Sequence, residues 1–535
     1  MTRPARVLAV ALDATDSELM RRLVDEGELP VLARVMREGA AARLRSAGDW
    51  APESVWSAMH SGCALGTHGV YHWKAPRPGA YAESRMLTRS WRRPWWELMA
   101  GEDGRPPHTI LLDVPWTAPS LDERMVHIHN WGQRGGGASV SWPPEVLREL
   151  NARHGRYARN LNREVTGRPL LARSQLRSIL AMTRRRVEVI KTLIAEHPWE
   201  VCIAVFPEVH HAAHAFHQYA PGLGRIEPAP HGRGLEDALR RCYRAADAAL
   251  GELIEALPAD AALAVFSGIG LRSNTTGVHA VPALLTELGY HVPAAPSASS
   301  RGTALARRAA LTVVPRPLAR RVRARFVPLE AVDAHLERVA EESTDWSRTR
   351  AWAQMEAGSA WIRINVCGRE PQGIVDPGAE YDEVCGELTA ELLRCRDAAT
   401  GQPAIVQVER RDDVVQGSRA HAMPDLWLRF NRDVVLRGIE HPTPGTFAER
   451  AEGWRATEHN GNGWLVLRGP GVRPGVDLAD GRAEDLAPTL MHLLGAAVPA
   501  DMEGRVLDEL LGDELGPVCT AAVDASDDAW AAAAA

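Results

Sequence analysis

His210 and His214 stand four residues apart. If the segment after Phe206 is helical, both imidazoles project from one face about a turn apart. Such a pair can chelate one metal ion, because each ring offers a nitrogen lone pair to the same point. His211 and His217 lie close by and Glu208 precedes the pair; histidines on a solvated surface are the ordinary alternative. Asp13 closes the apolar run Arg6–Leu12. A carboxylate there faces the crevice beyond a strand and can ligate a cation or orient a substrate group, or simply cap the turn that follows. Glu53 and Ser54 open a stretch that reads as a loop entering a helix, with Gly62 ending it. A hydroxyl at such a start is a candidate nucleophile, since free amides and the helix dipole stabilise a phosphoryl oxygen; capping is the commoner use of a serine there. His459 lies in the polar stretch from Arg455 to Gly463, read as a loop before a strand.

These residues must be positioned by the elements around them. Strand-length apolar runs alternate with long helical patterns, which predicts a mostly parallel sheet with helices on both faces. The runs are Arg6–Leu12, His108–Leu112, Val201–Phe206 and Ala261–Ser267, then Ala360–Asn365, Leu426–Phe430 and Gly463–Leu467. Helical patterns cover Ser17–Glu38 with a break near Gly27, Leu235–Leu257 and Ala483–Leu494. In an open parallel sheet, ligands bind beyond the carboxyl ends of the strands, so chemistry is expected at Asp13, at Pro207–His217 and at Gly268–Arg272. Residues 290–345 are rich in Ala, Arg and Pro and read as an insertion, with the basic run Arg316–Arg325 as a solvated helix face. Residues 512–535 read as a flexible tail ending in alanines, leaving 1–289 and 346–511 as one α/β domain. No internal repeat is found.

The chain has 535 residues, 45% of them hydrophobic and 24% charged, the proportions of a globular protein with a sizeable core. With 62 Lys and Arg against 68 Asp and Glu the net charge is −6. No segment joins basic residues to aromatics, so no nucleic-acid partner is expected. The seven cysteines are scattered without a Cys-x-x-Cys pair, which points to a reducing compartment and excludes a zinc–cysteine knuckle. The first apolar run is too short for a signal peptide, and no run reaches the ~18 apolar residues of a membrane span. A cytoplasmic location without membrane contact is therefore expected. Seventeen tryptophans against six phenylalanines are unusual; Trp91, Trp95 and Trp96 could stack on a planar substrate, though core packing explains them more simply.

Taken together, these segments resemble the alkaline phosphatase superfamily, in its type I phosphodiesterase/nucleotide pyrophosphatase branch. Leu12-Asp13, Gly27-Glu28-Leu29-Pro30 and Arg37-Glu38-Gly39 are similar to that branch's first strand and helix. Trp56 to Ser61-Gly62, then Thr67-His68-Gly69, match its helix after the nucleophile. The segment from Asn365 through Gly368-Arg369-Glu370-Pro371 to Gly373 and Val375 matches the branch's Asn-x-x-Gly-Arg-Glu-Pro-x-Gly-x-Val. Pro424-Asp425-Leu426, Gly469 to Gly475, Asp485 to Gly495 and Met502 to Arg505 complete the likeness. The resemblance implies an alkaline-phosphatase-like fold, a mostly parallel sheet sandwiched by helices, with an insertion.

It also implies phosphoryl or sulfuryl transfer at two adjacent metal ions, usually zinc. One family site uses an Asp-x-x-x-His pair and a late histidine. Here His214 and His459 match the two histidines, and His210 replaces the aspartate. Three neutral imidazoles can hold one Zn²⁺ and leave a fourth position open; iron or copper would suit the same donors. The second family site uses the first-strand Asp, a Ser/Thr nucleophile, and the Asp and His of a Ser-Asp-His-Gly turn. This chain has Ser267-Gly268-Ile269-Gly270 there, so Asp13 alone remains, and Pro52 occupies the nucleophile position.

Three readings follow. The favoured one is a metal-dependent hydrolase or transferase acting on a small phosphate ester or phosphodiester. In it His210, His214 and His459 hold about one zinc per chain, Asp13 adds a ligand, Ser54, Glu53 and Asp13 carry the chemistry, and Arg272 clamps the phosphate. The alternatives are a mononuclear-metal enzyme of specialised metabolism with non-hydrolytic chemistry, and a non-catalytic binding homologue. The oligomeric state is left open by the sequence.

Overall fold

The computed structural model of the chain describes residues 3–76, 81, 83–85, 90, 92–100, 104–117, 122–132, 138–158, 161, 168–223, 234–295, 342–356, 358–448 and 457–522. Most of the expected insertion, its basic run, Trp91 and the end of the tail lie outside the described residues.

In chain order the main elements begin with β1 (Arg6–Leu12), α1 (Ser17–Asp25), α2 (Pro30–Glu38), β2 (Ala40–Arg45) and α3 (Ser54–Ser61). Next come β3 (Thr109–Leu112), β4 (Met125–His129), β5 (Val140–Trp142), α4 (Pro169–Glu196), β6 (Val201–Phe206), α5 (Pro207–Phe216), α6 (Ala238–Glu255), β7 (Ala261–Ser267) and β8 (Gly270–Ser273). The chain continues with β9 (Ala351–Glu356), β10 (Ser359–Ile364), α7 (Ala379–Leu393), β11 (Ile405–Arg410), β12 (Leu426–Phe430), β13 (Thr457–Asn460), β14 (Asn462–Arg468), β15 (Asp477–Arg482) and α8 (Leu486–Leu494).

Nine strands form the large sheet in the order β15-β2-β14-β7-β1-β6-β3-β4-β5. Its centre is parallel, with β1 between β6 and β7. That position explains why these strands are continuous apolar runs: every residue of β6 and β7 is buried, as expected where helices cover both faces. Asp16 caps α1 by accepting from the Glu18 and Leu19 amides, and Pro30 opens α2, where its missing N–H costs nothing. β14 runs between β7 and β2, antiparallel to both.

A four-stranded antiparallel sheet, β9-β10-β12-β11, builds a second lobe with α7. It has its own hydrophobic core, centred on Ile362, Ile364, Leu388 and Leu426. The buried apolar residues form two large clusters, one under each sheet, and two smaller ones, because the second sheet covers its face with its own helix. The Arg369 guanidinium grips Asp425 through both terminal nitrogens at 2.7 Å inside this lobe. The lobes meet through tryptophans. Trp361 Nε1 donates to the Trp50 carbonyl at 2.8 Å, and Trp50 meets Trp427 edge-on at 4.9 Å. Among the described residues no helix is long and apolar enough to cross a membrane.

Candidate metal centre

The parallel register sets the site. Leu12 pairs with Phe206, so Asp13, one residue beyond β1, is level with the first turn of α5. The chain then turns through Ala14 in a left-handed conformation, φ 50°, uncommon for a residue with a Cβ. Two bonds hold that turn: Thr15 Oγ1 donates to the Leu12 carbonyl at 2.6 Å, and the Thr15 amide donates to Ser267 Oγ at 3.2 Å. Asp13 is thereby buried and directed at α5 and α3. Its Oδ2 is 2.8 Å from His210 Nδ1, and its Oδ1 accepts from Trp56 Nε1 at 3.3 Å.

α5 starts at Pro207 directly after β6, and its helical spacing places His210 and His214 one above the other. Their Nε2 atoms are 2.8 Å apart. His214 Nδ1, on the far side of its ring, is 2.6 Å from Thr457 Oγ1. The third histidine comes from β13, which pairs antiparallel with β8: Leu271 opposes His459 and Ser273 opposes Thr457. The loop expected around His459 is therefore a strand, and its alternation puts Thr457 and His459 on one face. The His459 ring lies 5.0 Å from that of His210 and 5.6 Å from that of His214. One nitrogen from each of the three rings falls within 4.8 Å of the others.

This set suits a divalent ion. Its donors are imidazoles that zinc, iron and copper all accept, and the rear nitrogens of two rings are held by oxygen atoms, the usual outer support of metal-binding histidines. Asp13 was expected as a further direct ligand. Among the described residues the converging set contains the three histidines without it; Asp13 stands behind His210 as the partner of its rear nitrogen.

At Gly268 and Ile269, where the resemblance led one to expect the ligands of a second site, the chain is closely packed against α3. A Cβ added to Gly268 would come 2.5 Å from Met59 Sδ and 2.8 Å from Val55 Cγ1, both on α3. Ile269 is buried. Ser267 keeps only a structural part, donating to the Ile269 carbonyl at 2.8 Å and accepting from Thr15.

The remaining expected residues are placed differently. Ser54 is buried at the start of α3, and its hydroxyl donates to the Ala51 carbonyl at 2.7 Å rather than pointing a lone proton at a substrate. Glu53 occupies the N-cap position of α3 without a capping hydrogen bond and is half-buried. Arg272, expected as a phosphate clamp, is engaged by two carboxylates: Nε donates to Glu458 at 2.8 Å and a terminal nitrogen meets Asp49 at 2.8 Å. The reason is register, since Arg272 directly opposes Glu458 across β8 and β13. Arg432 of the second lobe meets the same Glu458 oxygen. Trp95 and Trp96 are buried in the core, Trp96 edge-on to His60 at 5.1 Å.

Behind α5 lies a fully buried ionic cluster. Arg186 of α4 donates through Nε to both oxygens of Glu208 at 3.0 Å and meets Asp113 at 2.9 Å. Burial alone would lower the Arg186 pKa, but the two carboxylates hold it above the ordinary value. Glu208 is in the first turn of α5, so this cluster anchors the helix that carries His210 and His214. His217, one turn on, is pushed down to about 4 by burial and stands outside the converging set. Sequence reasoning missed Thr457, Trp56 and Arg186. Only Thr457 carried a signal, its spacing of two from His459 in what turned out to be a strand.

The sequence model of the type I phosphodiesterase / nucleotide pyrophosphatase family matches residues 7–462. No curated protein matches the chain. Among solved structures, wild-type alkaline phosphatase PafA is similar with a TM-score of 0.52 at 12% identity, over 96% of this chain and 100% of that one. Phosphonoacetate hydrolase from Sinorhizobium meliloti 1021, in complex with phosphonoformate, gives 0.51 at 14% identity, over 91% and 94%. Human ectonucleotide pyrophosphatase / phosphodiesterase 5 gives 0.47 at 11%, over 95% and 100%. At these identities the first two likenesses are likenesses of fold.

Proposed function

This chain belongs to the type I phosphodiesterase / nucleotide pyrophosphatase family, and on that premise we propose that it hydrolyses a small phosphate ester or phosphodiester at one divalent ion held by His210, His214 and His459. The convergence of those three rings within 4.8 Å is the observation that carries the reading. Bound there, the ion would supply Lewis acidity toward a phosphoryl oxygen or a water molecule, and zinc is the usual choice for such chemistry.

The chain's own residues set the rest. Asp13, steadied by Trp56, orients His210, and Thr457 orients His214. With Ser54 bonded to Ala51 and proline at position 52, the reading has water attack phosphorus directly: the new P–O bond forms as the ester bond breaks, and the alcohol departs with a proton from water. Gly268 and Ile269 offer no ligand for a second cation, so one ion alone would offset the phosphoryl charge, which favours singly charged diesters over doubly charged monoesters. The seven cysteines are all free, which supports a reducing compartment such as the cytoplasm.

The test compares bis(p-nitrophenyl) phosphate and p-nitrophenyl phosphate hydrolysis by wild type and His214→Ala, with elemental analysis of both. About one ion per chain in wild type, the diester preferred, and at least a ~100-fold loss in the variant are expected. Unchanged hydrolysis in His214→Ala overturns the reading. The three-imidazole set also suits iron or copper; either metal bound without hydrolysis would instead favour non-hydrolytic chemistry.

A further inference from the structure

We propose that Asp13 is a positioning residue that locks His210 as an Nε2 ligand, while Thr457 supports His214 in either tautomer. The inference rests on the metal reading above. An ionised carboxylate only accepts hydrogen bonds. The 2.8 Å contact from Asp13 Oδ2 to His210 Nδ1 therefore requires the proton on Nδ1, which leaves Nε2 with a bare lone pair. Trp56 Nε1, which can only donate, holds the other carboxylate oxygen and keeps the group from rotating away. His210 is thus fixed in one tautomer.

His214 is supported differently. Its Nδ1 meets a hydroxyl, which can donate or accept. The two Nε2 atoms lie 2.8 Å apart, and two bare lone pairs at that distance repel. Either a proton or a metal cation must lie between them. With a proton, the bonds run in one direction: Thr457 O–H to His214 Nδ1, His214 Nε2–H to His210 Nε2, His210 Nδ1–H to Asp13. For both Nε2 atoms to face a cation, the His214 proton must move to Nδ1, where Thr457 turns to accept it. No proton is gained or lost, and His210 does not change. The His210 imidazole is long enough to reach the first-strand carboxylate, and that contact gives Asp13 this task.

The experiment is a metal titration of chelator-stripped protein, without substrate. Co²⁺ is followed by its visible absorption, Zn²⁺ by competition, and stoichiometry by elemental analysis. Variants are Asp13→Asn, Thr457→Val and Thr457→Ser, each checked for folding by circular dichroism. Wild type should take up a single equivalent. Asp13→Asn should still take up one but bind roughly 10–100-fold more weakly, and Thr457→Val should also weaken binding. Thr457→Ser, which keeps the hydroxyl, should restore affinity to within about threefold of wild type. Two equivalents in wild type with one lost in Asp13→Asn would make Asp13 a direct ligand and overturn the proposal. So would unchanged affinity in Asp13→Asn. Should Asp13→Asn not fold, Trp56→Phe, which removes the donor to Asp13 Oδ1, should weaken uptake in the same direction, and unchanged affinity there would overturn the proposal. Absence of hydrolysis alongside these binding results would overturn the proposed activity and leave the assignment of Asp13 intact; no uptake by wild type would overturn both.

Discussion

Gly268 lies against Met59 so closely that a Cβ on the glycine would sit 2.5 Å from the methionine sulfur. The space that a side chain would need at this point in the turn is therefore taken by α3. Gly268→Asp should destabilise the protein by about 1–3 kcal/mol through overpacking. Combining it with Met59→Ala should cost less than the sum of the two single changes, since each relieves the other. A double-mutant cycle of urea unfolding midpoints measures this, and strict additivity would show that the two positions do not compete for space.

Ser54 offers a simple decision between covalent and direct attack. Its hydroxyl is buried and bonded to the Ala51 carbonyl. Ser54→Ala should keep kcat within about twofold and lose about 0.5–1.5 kcal/mol of stability, the net worth of one hydrogen bond. A kcat loss of about 100-fold or more with normal metal content would make the hydroxyl a nucleophile after all.

Acid should weaken the fold through two buried histidines. Burial, with a smaller contribution from His68 and His127, pushes His60 down to about 3, and burial does the same to His68. In the unfolded chain both titrate near 6.5. Below that pH the unfolded state binds protons that the native state refuses, so the stabilisation is fully present above about pH 6.5 and is lost progressively as the pH falls toward 3. Unfolding midpoints measured in chelator at pH 7.5 and pH 5 should differ accordingly. His68→Asn, which keeps an acceptor for the Val70 amide, should flatten the dependence; an unaltered slope would contradict this origin.

The cluster behind α5 predicts a large single-site effect. Arg186→Leu strands the Asp113 and Glu208 carboxylates without their cation and should cost about 3–5 kcal/mol. Adding Asp113→Asn and Glu208→Gln to it should recover part of that loss, because no buried charge then remains unpaired. Urea unfolding of the single and triple variants checks both statements, and a loss below about 1 kcal/mol in the single variant would refute the first.

Much of the scaffold was legible in the sequence because it is governed by local periodicity. The runs Arg6–Leu12, Val201–Phe206 and Ala261–Ser267 are strands with those bounds: a central parallel strand is buried on both faces and must be apolar throughout. Gly62 ends α3 in a left-handed conformation, φ 65°, where a glycine carries no steric penalty. The 28-residue helix α4 was not recognised, since its many arginines blur the apolar stripe that would mark it. The antiparallel pairing of β9 to β12 was not legible for another reason: such strands look like any others until their partners are known.

At the site, the sequence by itself determined the i, i+4 histidine pair, its place beyond a buried strand, and the ligand-free pair Gly268 and Ile269. These are matters of residue type and spacing along one short segment. Only the tertiary structure decided that His459 and Thr457 arrive on a strand paired to β8, that Arg272 is engaged by Glu458, that Met59 packs against Gly268, and that Asp13 turns its carboxylate to the back of His210. Each of those depends on a register between segments as much as 243 residues apart. Chain separation on that scale leaves no periodic trace, and which side chains meet is settled when the sheets pair and the helices pack over them.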